Sequence, residues 1–298
     1  MSLVIARLMG GLGNQMFQYA TGLALSRHLE VPLLLDRTFL DSRPPGMNWT
    51  PRNFELDVFQ APVTFATSAQ VRAARRELDS AGYRRSARLL PGLFPERCYV
   101  QKGSAFDPAL FAQEAPIYIE GFWQNEGYFA NIAEELRRSL FVPRETISGR
   151  NAALLNAIRS ATSASVHVRR GDYVSNMESN RYHGVCTPDY YQGTVEEMAV
   201  KHAVEHFYLF SDEPEWVQAN LPLSHPHTVV SHNTGRDSHW DLHLMRHCKH
   251  HVTANSSFSW WGAWLDPSPE KVVIAPAQWF RGVQTPASDI LPPEWIAR

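Results

Sequence analysis

The chain has 298 residues, long enough for two ordinary domains and too long to need disulfide or metal staples. Hydrophobic residues make up 44% and charged residues 19%, under the roughly 25% charge of typical soluble domains, so a chain kept disordered by self-repulsion is excluded. With 28 Lys plus Arg against 30 Asp plus Glu, a net charge of -2 and no long run of one sign, there is no electrostatic footprint for a nucleic acid.

From the N-terminus, the sequence shows no charged region followed by an apolar run and cleavage site, and no stretch nears the roughly 20 apolar residues that span a bilayer. A cytosolic protein is expected. Cys98, Cys186 and Cys248 are too far apart for a disulfide framework or a CxxC motif, which agrees with a reducing compartment. Asn48-Trp49-Thr50 and Asn255-Ser256-Ser257 spell glycosylation acceptors, but without an export signal they meet no acceptor enzyme.

Residues 3–8 form a short branched apolar run that stops at Gly10-Gly11-Leu12-Gly13 and gives way to helical periodicity in Met16, Phe17, Ala20 and Leu23: strand, glycine loop, helix. Residues 32–35 read as a second strand and 41–52 as a loop. Helical patterns at 69–78 and 125–140 flank short strands at 97–101 and 117–121. Pro143, followed by a helical pattern over 147–158, marks a boundary between two halves. Beyond it, strands at 164–168, 207–210, 228–230, 251–254 and 272–275 alternate with helices, which implies a parallel sheet. Thr187-Pro188-Asp189 gives one of these helices a capping residue and a proline at its first position. Two α/β domains with a cleft between them follow, and ligands in such sheets bind beyond the carboxyl ends of the strands.

Four strand ends carry chemistry. At Gly10 to Gln15 the glycines let backbone approach an anion at a helix start, or supply the positive φ of a tight turn; both readings stand. In His167-Val168-Arg169-Arg170-Gly171-Asp172-Tyr173, alternation puts His167 and Arg169 on one face, and two arginines at a strand end call for anions, phosphate above all. The alternative pairs Arg170 with an acid across the domain interface and leaves Arg169 solvated. In Ser211-Asp212-Glu213-Pro214-Glu215-Trp216, Asp212 either accepts hydrogen bonds from a nucleobase or ribose or caps the next helix. In Asn255 to Trp261, Ser256 and Ser257 with nearby N–H groups offer a neutral anion cradle at a positive helix end. Trp260 and Trp261 belong to the core, though Trp260 could wall a cleft. His239, His243, His247 and His251 are spaced by four, as in helical zinc sites, but no HExxH arrangement accompanies them and a packing stripe explains them better.

Together these segments resemble glycosyltransferase family 11, the α-1,2-fucosyltransferases, in its bacterial form. Residues 10–20 are similar to the family's opening motif, 167–173 to its HxRRxD signature, and 255–261 to its NSSFSWW block. The acidic motif departs from the family where Asp212-Glu213 replaces two adjacent aspartates. The resemblance implies a GT-B-like α/β fold of two Rossmann-like domains facing a central cleft: residues 1–145 on the acceptor side with the Gly-rich loop, 146–298 binding GDP-fucose. It implies inverting transfer of L-fucose from GDP-β-L-fucose to the 2-hydroxyl of a terminal galactose in a β-galactoside oligosaccharide, with no metal and no other cofactor. By the same resemblance Arg169 binds the β-phosphate, His167 and Asp212 hold guanine or ribose, Ser256, Ser257 and Phe258 serve the phosphates, and Asn255 is a further donor-binding residue. Gly11, Gly13 and Asn14 approach the donor from the other domain, and Asp172 or Glu178 is the general base. Acceptor choice is assigned to loops 41–52 and 176–183, and peripheral contact at the inner membrane face is compatible with a lipid-linked acceptor. Competing readings are a non-catalytic nucleotide-sugar or glycan-binding module and a metal-dependent hydrolase built on the histidine run.

Overall fold

The first strand, β1 (Val4–Arg7), is flanked by β2 (Leu33–Asp36) and β4 (Ile117–Glu120), and β3 (Cys98–Val100) adds to β4, giving the order β2-β1-β4-β3 with every pairing parallel. Ile5 lies in register with Leu34 on one side and Tyr118 on the other. A parallel pair needs a crossover, and the helix Leu12–His28 makes it from β1 to β2. That helix lies so close to the sheet that a Cβ on Gly22 would come within 2.9 Å of Ala6 and Leu33. The computed structural model describes residues 2–42, 50–89, 97–281 and 285–298. The glycosylation pattern at Asn48 and most of loop 41–52 lie outside them.

The chain divides into two compact units, one of Met1–Met47, Pro51–Asp57 and Ala61–Glu134, the other of Asn48–Thr50, Val58–Gln60 and Glu135–Arg298. The segment Val58–Gln60 joins the second because Phe59 packs on Phe141 at 5.5 Å and Gln60 N–H donates to the Val142 carbonyl at 2.9 Å.

The second unit carries six strands, β5 (Ser163–Val168), β6 (His206–Ser211), β7 (His227–Val230), β8 (His250–Val252), β9 (Val273–Ala275) and β10 (Ile296–Ala297). Their order is β10-β9-β8-β5-β6-β7, again wholly parallel. All six residues of β5 are buried, as a central parallel strand covered on both faces requires. The chain runs outward from β5 to β6 and β7, then returns to the other side of β5 for β8, β9 and β10. The order therefore reverses between β5 and β8, and the carboxyl ends of those two strands are where such a sheet binds ligands.

Thr187 caps the helix Pro188–His202 as expected: its hydroxyl accepts the Tyr190 N–H at 3.3 Å. Thr187→Ala should cost about 1 kcal/mol, measurable as a lower thermal midpoint with activity unchanged. Trp260, Trp261 and Trp264 are fully buried, and Trp260 Nε1 donates to the Ile290 carbonyl at 2.9 Å, so Trp260 is core and walls no cleft. No helix among the described residues is long and apolar enough to cross a membrane.

Four expectations are corrected. Residues 125–140 form no single helix but short turns at Glu126–Tyr128 and Ala130–Ile132, a brief helix and a wide turn at Leu136–Leu140; Phe129, at φ -141°, breaks the run. The pattern at 69–78 splits at Arg75 into Ser68–Ala74 and Arg76–Asp79. Loop 176–183 is largely the helix Met177–His183. The strand expected at 251–254 ends at Val252, two residues earlier.

Candidate active site

Arg169 is the first residue beyond β5, and Asp212 the first beyond β6. Val168 pairs with Ser211 in the last rung between them, so the two side chains leave neighbouring strand ends. Asp212 Oδ2 lies 2.9 Å from Arg169 Nη1, and its Oδ1 accepts the Arg170 backbone N–H at 2.9 Å. Asp172, from the short helix Gly171–Ser175, binds the other end of the guanidinium through Oδ1 to Nη2. Burial lowers the pKa of Arg169, but Asp212 and Asp172 outweigh it and leave the pKa raised, so the cation is permanent. Arg170 is held apart from this pair. Its Nε donates to Glu213 Oε2 at 3.0 Å and its guanidinium lies over the Trp216 ring at 3.6 Å; that acid belongs to the same unit and Arg169 is itself ion-paired, so the alternative of a partner across the domain interface with Arg169 left solvated is corrected.

His167 is buried, its ring tilted against Phe258 at 5.5 Å, and its Nδ1 has no hydrogen-bond partner. Burial, then the charge on Arg169, push its pKa down to about 3, so the imidazole is neutral and keeps one donor and one acceptor. An unsatisfied buried polar atom costs free energy unless a ligand meets it. Phe258 belongs to the helix Ser257–Trp264, which starts beyond β8. Ser256 Oγ accepts the Phe258 N–H at 3.3 Å and so caps that helix, with Ser257 half-buried at its first turn.

Asn255 does not reach toward a ligand. Its amide donates to the carbonyls of His183 at 2.8 Å and Trp279 at 3.2 Å, and its Oδ1 receives the Cys186 thiol at 3.7 Å. It ties β8's end to the segment that follows the arginine motif and is corrected from donor contact to scaffold. Asp212 likewise is no helix cap: the helix Pro214–Asn220 has no side-chain cap bond. The backbone of Glu178 lies in the helix Met177–His183, and its side chain lies outside those described.

Sequence reasoning misses Tyr173 and His183. Their rings stack at 4.5 Å with 4° between planes, and Arg169 lies 5.4 Å from the Tyr173 ring. Burial and then Arg169 hold His183 at about 4, against the opposing pull of Asp172. Only the aromatic at the end of HxRRxDY gives a hint of this.

Gly11, Gly13 and Asn14 stand in the first unit, beyond β1. Gly10 has φ +75°, and a Cβ there would lie 2.4 Å from Asn14 Nδ2, so the turn reading holds at this position. Gln15 Nε2 donates to the carbonyls of Gly10 and Asn53, Gln18 Oε1 accepts the Met9 N–H, and Asn14 Oδ1 accepts from Gln124 at 2.8 Å. A Cβ at Gly11 would sit in ordinary van der Waals contact with the side chains of Arg52 at 3.7 Å and Glu55 at 3.9 Å.

The histidine run divides. His239 lies against the Arg236 carbonyl, His243 meets His247 edge-on, and His251 belongs to β8, with Nδ1 2.9 Å from Ser165 Oγ and Nε2 3.2 Å from Asp266. Ser165, His251 and Asp266 are all buried, which removes them from any substrate. Among the described residues no group of three His, Cys, Asp or Glu could hold a metal ion.

The family model of glycosyl transferase family 11 matches residues 93–298, more than half the chain. This chain belongs to glycosyltransferase family 11. The glycosyltransferase is 35% identical over 300 residues to an alpha-1,2-colitosyltransferase from Escherichia coli, covering 99% of both chains. It is 25% identical to galactoside alpha-(1,2)-fucosyltransferase 1 of Plecturocebus brunneus, covering 96% of this chain and 72% of that one. Among solved structures, that of a point mutant of Arabidopsis thaliana FUT1 in complex with GDP superposes with a TM-score of 0.51 at 12% identity, over 93% of this glycosyltransferase and 71% of that chain. The likeness agrees with the GT-B-like fold of two Rossmann-like α/β units.

Proposed function

We propose that this glycosyltransferase moves L-fucose from GDP-β-L-fucose to the 2-hydroxyl of a terminal galactose in a β-galactoside oligosaccharide, with inversion at the sugar carbon. The observation that carries the reading is Arg169, a permanent cation at the switch point of the sheet, beside the partnerless Nδ1 of His167. As the C1–O bond to the diphosphate lengthens, negative charge gathers on the leaving oxygens, and a guanidinium already in place lowers that barrier without reorganising. His167 offers a neutral imidazole to the nucleotide, while the first turn of Ser257–Trp264, with Ser256 and Ser257, offers N–H and hydroxyl donors to phosphate.

The acceptor hydroxyl must lose its proton as it attacks. Asp172 is bound to Arg169. A diphosphate that takes the guanidinium competes with Asp172 for it, and the freed carboxylate becomes available as base. Glu178, six residues on, is the other candidate. Because Arg169 supplies the neutralising charge, no divalent cation is required. Transfer in excess EDTA should run at an unchanged rate, and its abolition would show that a metal rather than the arginine carries the leaving group.

A second donor is favoured by the 35% identity to the colitosyltransferase: GDP-colitose, whose sugar is the 3-deoxy counterpart of fucose. Incubation with lactose and each donor in turn, following GDP release and trisaccharide, separates the two. Fucosylated trisaccharide supports the first reading and colitose transfer alone the second. GDP binding without turnover of either donor would favour a non-catalytic module.

A further inference from the structure

The sequence assigns Asp212 to the nucleotide, yet both of its oxygens are engaged by the arginine motif. We propose that Asp212 is a positioning residue that fixes the Arg169 guanidinium for the departing diphosphate, and that Gly171 is glycine because only an absent side chain leaves room for this carboxylate. The proposal rests on the reading of Arg169 given above and assigns two further residues to it.

The argument begins with the strand register. Val168 opposite Ser211 places Arg169 and Asp212 one step past the last rung, and Asp212 is then anchored twice, by the Arg170 N–H on Oδ1 and by Arg169 Nη1 on Oδ2, both at 2.9 Å. A carboxylate tied to backbone on one oxygen has little freedom left on the other, so it aims the guanidinium rather than following it. Asp172 differs: it sits on a five-residue helix past the strand end, three residues from Arg169. An incoming diphosphate competes with both carboxylates for the one guanidinium they share. Asp212 keeps its bond from the Arg170 N–H throughout this competition. Arg170, taken up by Glu213 and the face of Trp216, contributes only its N–H to this arrangement.

Gly171 gives an independent mark of the same design. A Cβ there would lie 2.3 Å from Asp212 Oδ2 and 3.1 Å from its Cγ, far inside contact distance, and the residue shows no positive φ that would call for glycine on conformational grounds. The pinned carboxylate cannot step aside without releasing Arg169 or the Arg170 N–H.

The test is a double-substitution cycle on the full chain, reading kcat and KM for the nucleotide-sugar donor and the Kd of GDP, with circular dichroism melting to establish that each variant is folded. Asp212→Asn keeps the shape and the acceptor for Arg170 but removes the charge facing Arg169. It should lower kcat by about 10- to 100-fold, the scale of a misaimed group, with KM moving less than kcat. In an Arg169→Ala background the same change should cost less than about twofold, since its effect passes through the missing guanidinium. Gly171→Ala should lower kcat comparably in the parent and be nearly silent once Asp212 is alanine. Additive losses at 169 and 212, or a weaker GDP Kd with kcat preserved in Asp212→Asn, would assign Asp212 to the nucleotide and overturn the proposal. If Arg169→Ala alone leaves transfer intact, the phosphate reading of Arg169 fails instead. In that case the positioning role, which acts through Arg169, falls with it.

Discussion

Replacing Arg169 with alanine is expected to lower the rate of sugar transfer by about 10²-fold or more, the scale for removing one group that stabilises developing charge. The fold should survive, because Arg169 lies beyond β5 and outside the apolar cluster built on Ala164, Val166, Val168, Phe207 and Leu209. The variant leaves Asp172 and Asp212 without their shared cation, but their side chains are 16% and 24% exposed, so water and a proton can take its place. Arg169→Lys is the sharper companion. It keeps the charge but loses the planar fork that reaches two carboxylates at once, and its rate should fall between the parent and alanine. GDP release measured with saturating donor and lactose, beside a thermal melt of each variant, checks both statements. Near-parental turnover in Arg169→Ala would mean that the leaving group is stabilised by another residue.

How far these residues are legible in the sequence depends on whether their partners are local. The arginine motif can be found because Ala164, Val166 and Val168 alternate with small or polar residues in a short strand pattern that ends at two adjacent arginines. Thr187-Pro188 announces a helix start because capping needs only residues three apart. The tryptophans can be assigned to the core on area alone. What fails has partners far along the chain. Asn255 looks like a ligand-facing amide until the carbonyls of His183 and Trp279, 72 and 24 residues away, are seen to hold it. The requirement for Gly171 comes from Asp212, across a strand pairing. Buried Tyr128, Phe129, Leu136 and Leu140 mimic a helical stripe in 125–140 although turns carry them. The two residues of β10 are too short for any periodicity to announce.

Acid should destabilise the second unit well above the pH at which carboxylates titrate, because it buries several histidines in neutral form. Burial lowers His167 to about 3, His183 to about 4, His243 to about 4 and His247 to about 3. A histidine whose folded pKa is depressed contributes fully above its unfolded value near 6.5, and its contribution is lost as the pH falls below that, since the unfolded chain takes the proton first. By pH 5, His167 alone forfeits roughly 2 kcal/mol. The other three are half-buried and are discounted for solvent screening, which brings the four to roughly 5 kcal/mol together. Asp241 opposes them. Burial raises its carboxyl to about 7, against the bond from Asn233, so the folded form holds a proton that the unfolded form has lost, and stability grows as the pH falls from 7 toward 4. That gain is roughly 2 kcal/mol between pH 7 and 5, so the histidines win by roughly 3 kcal/mol, a large share of the 5–15 kcal/mol that typically holds a domain folded. Below about pH 4 the gain from Asp241 and the losses from His183 and His243 are complete, while the losses from His167 and His247 continue to about pH 3. Urea titrations at pH 8, 7 and 5 read the net loss. Asp241→Asn keeps the acceptor for Asn233 without the buried charge, and it should raise stability at pH 8 by about 2 kcal/mol or more and make the fall toward pH 5 steeper than in the parent. A flat stability profile from pH 8 to 5 in the parent would mean that these imidazoles are as free to charge in the folded protein as in water.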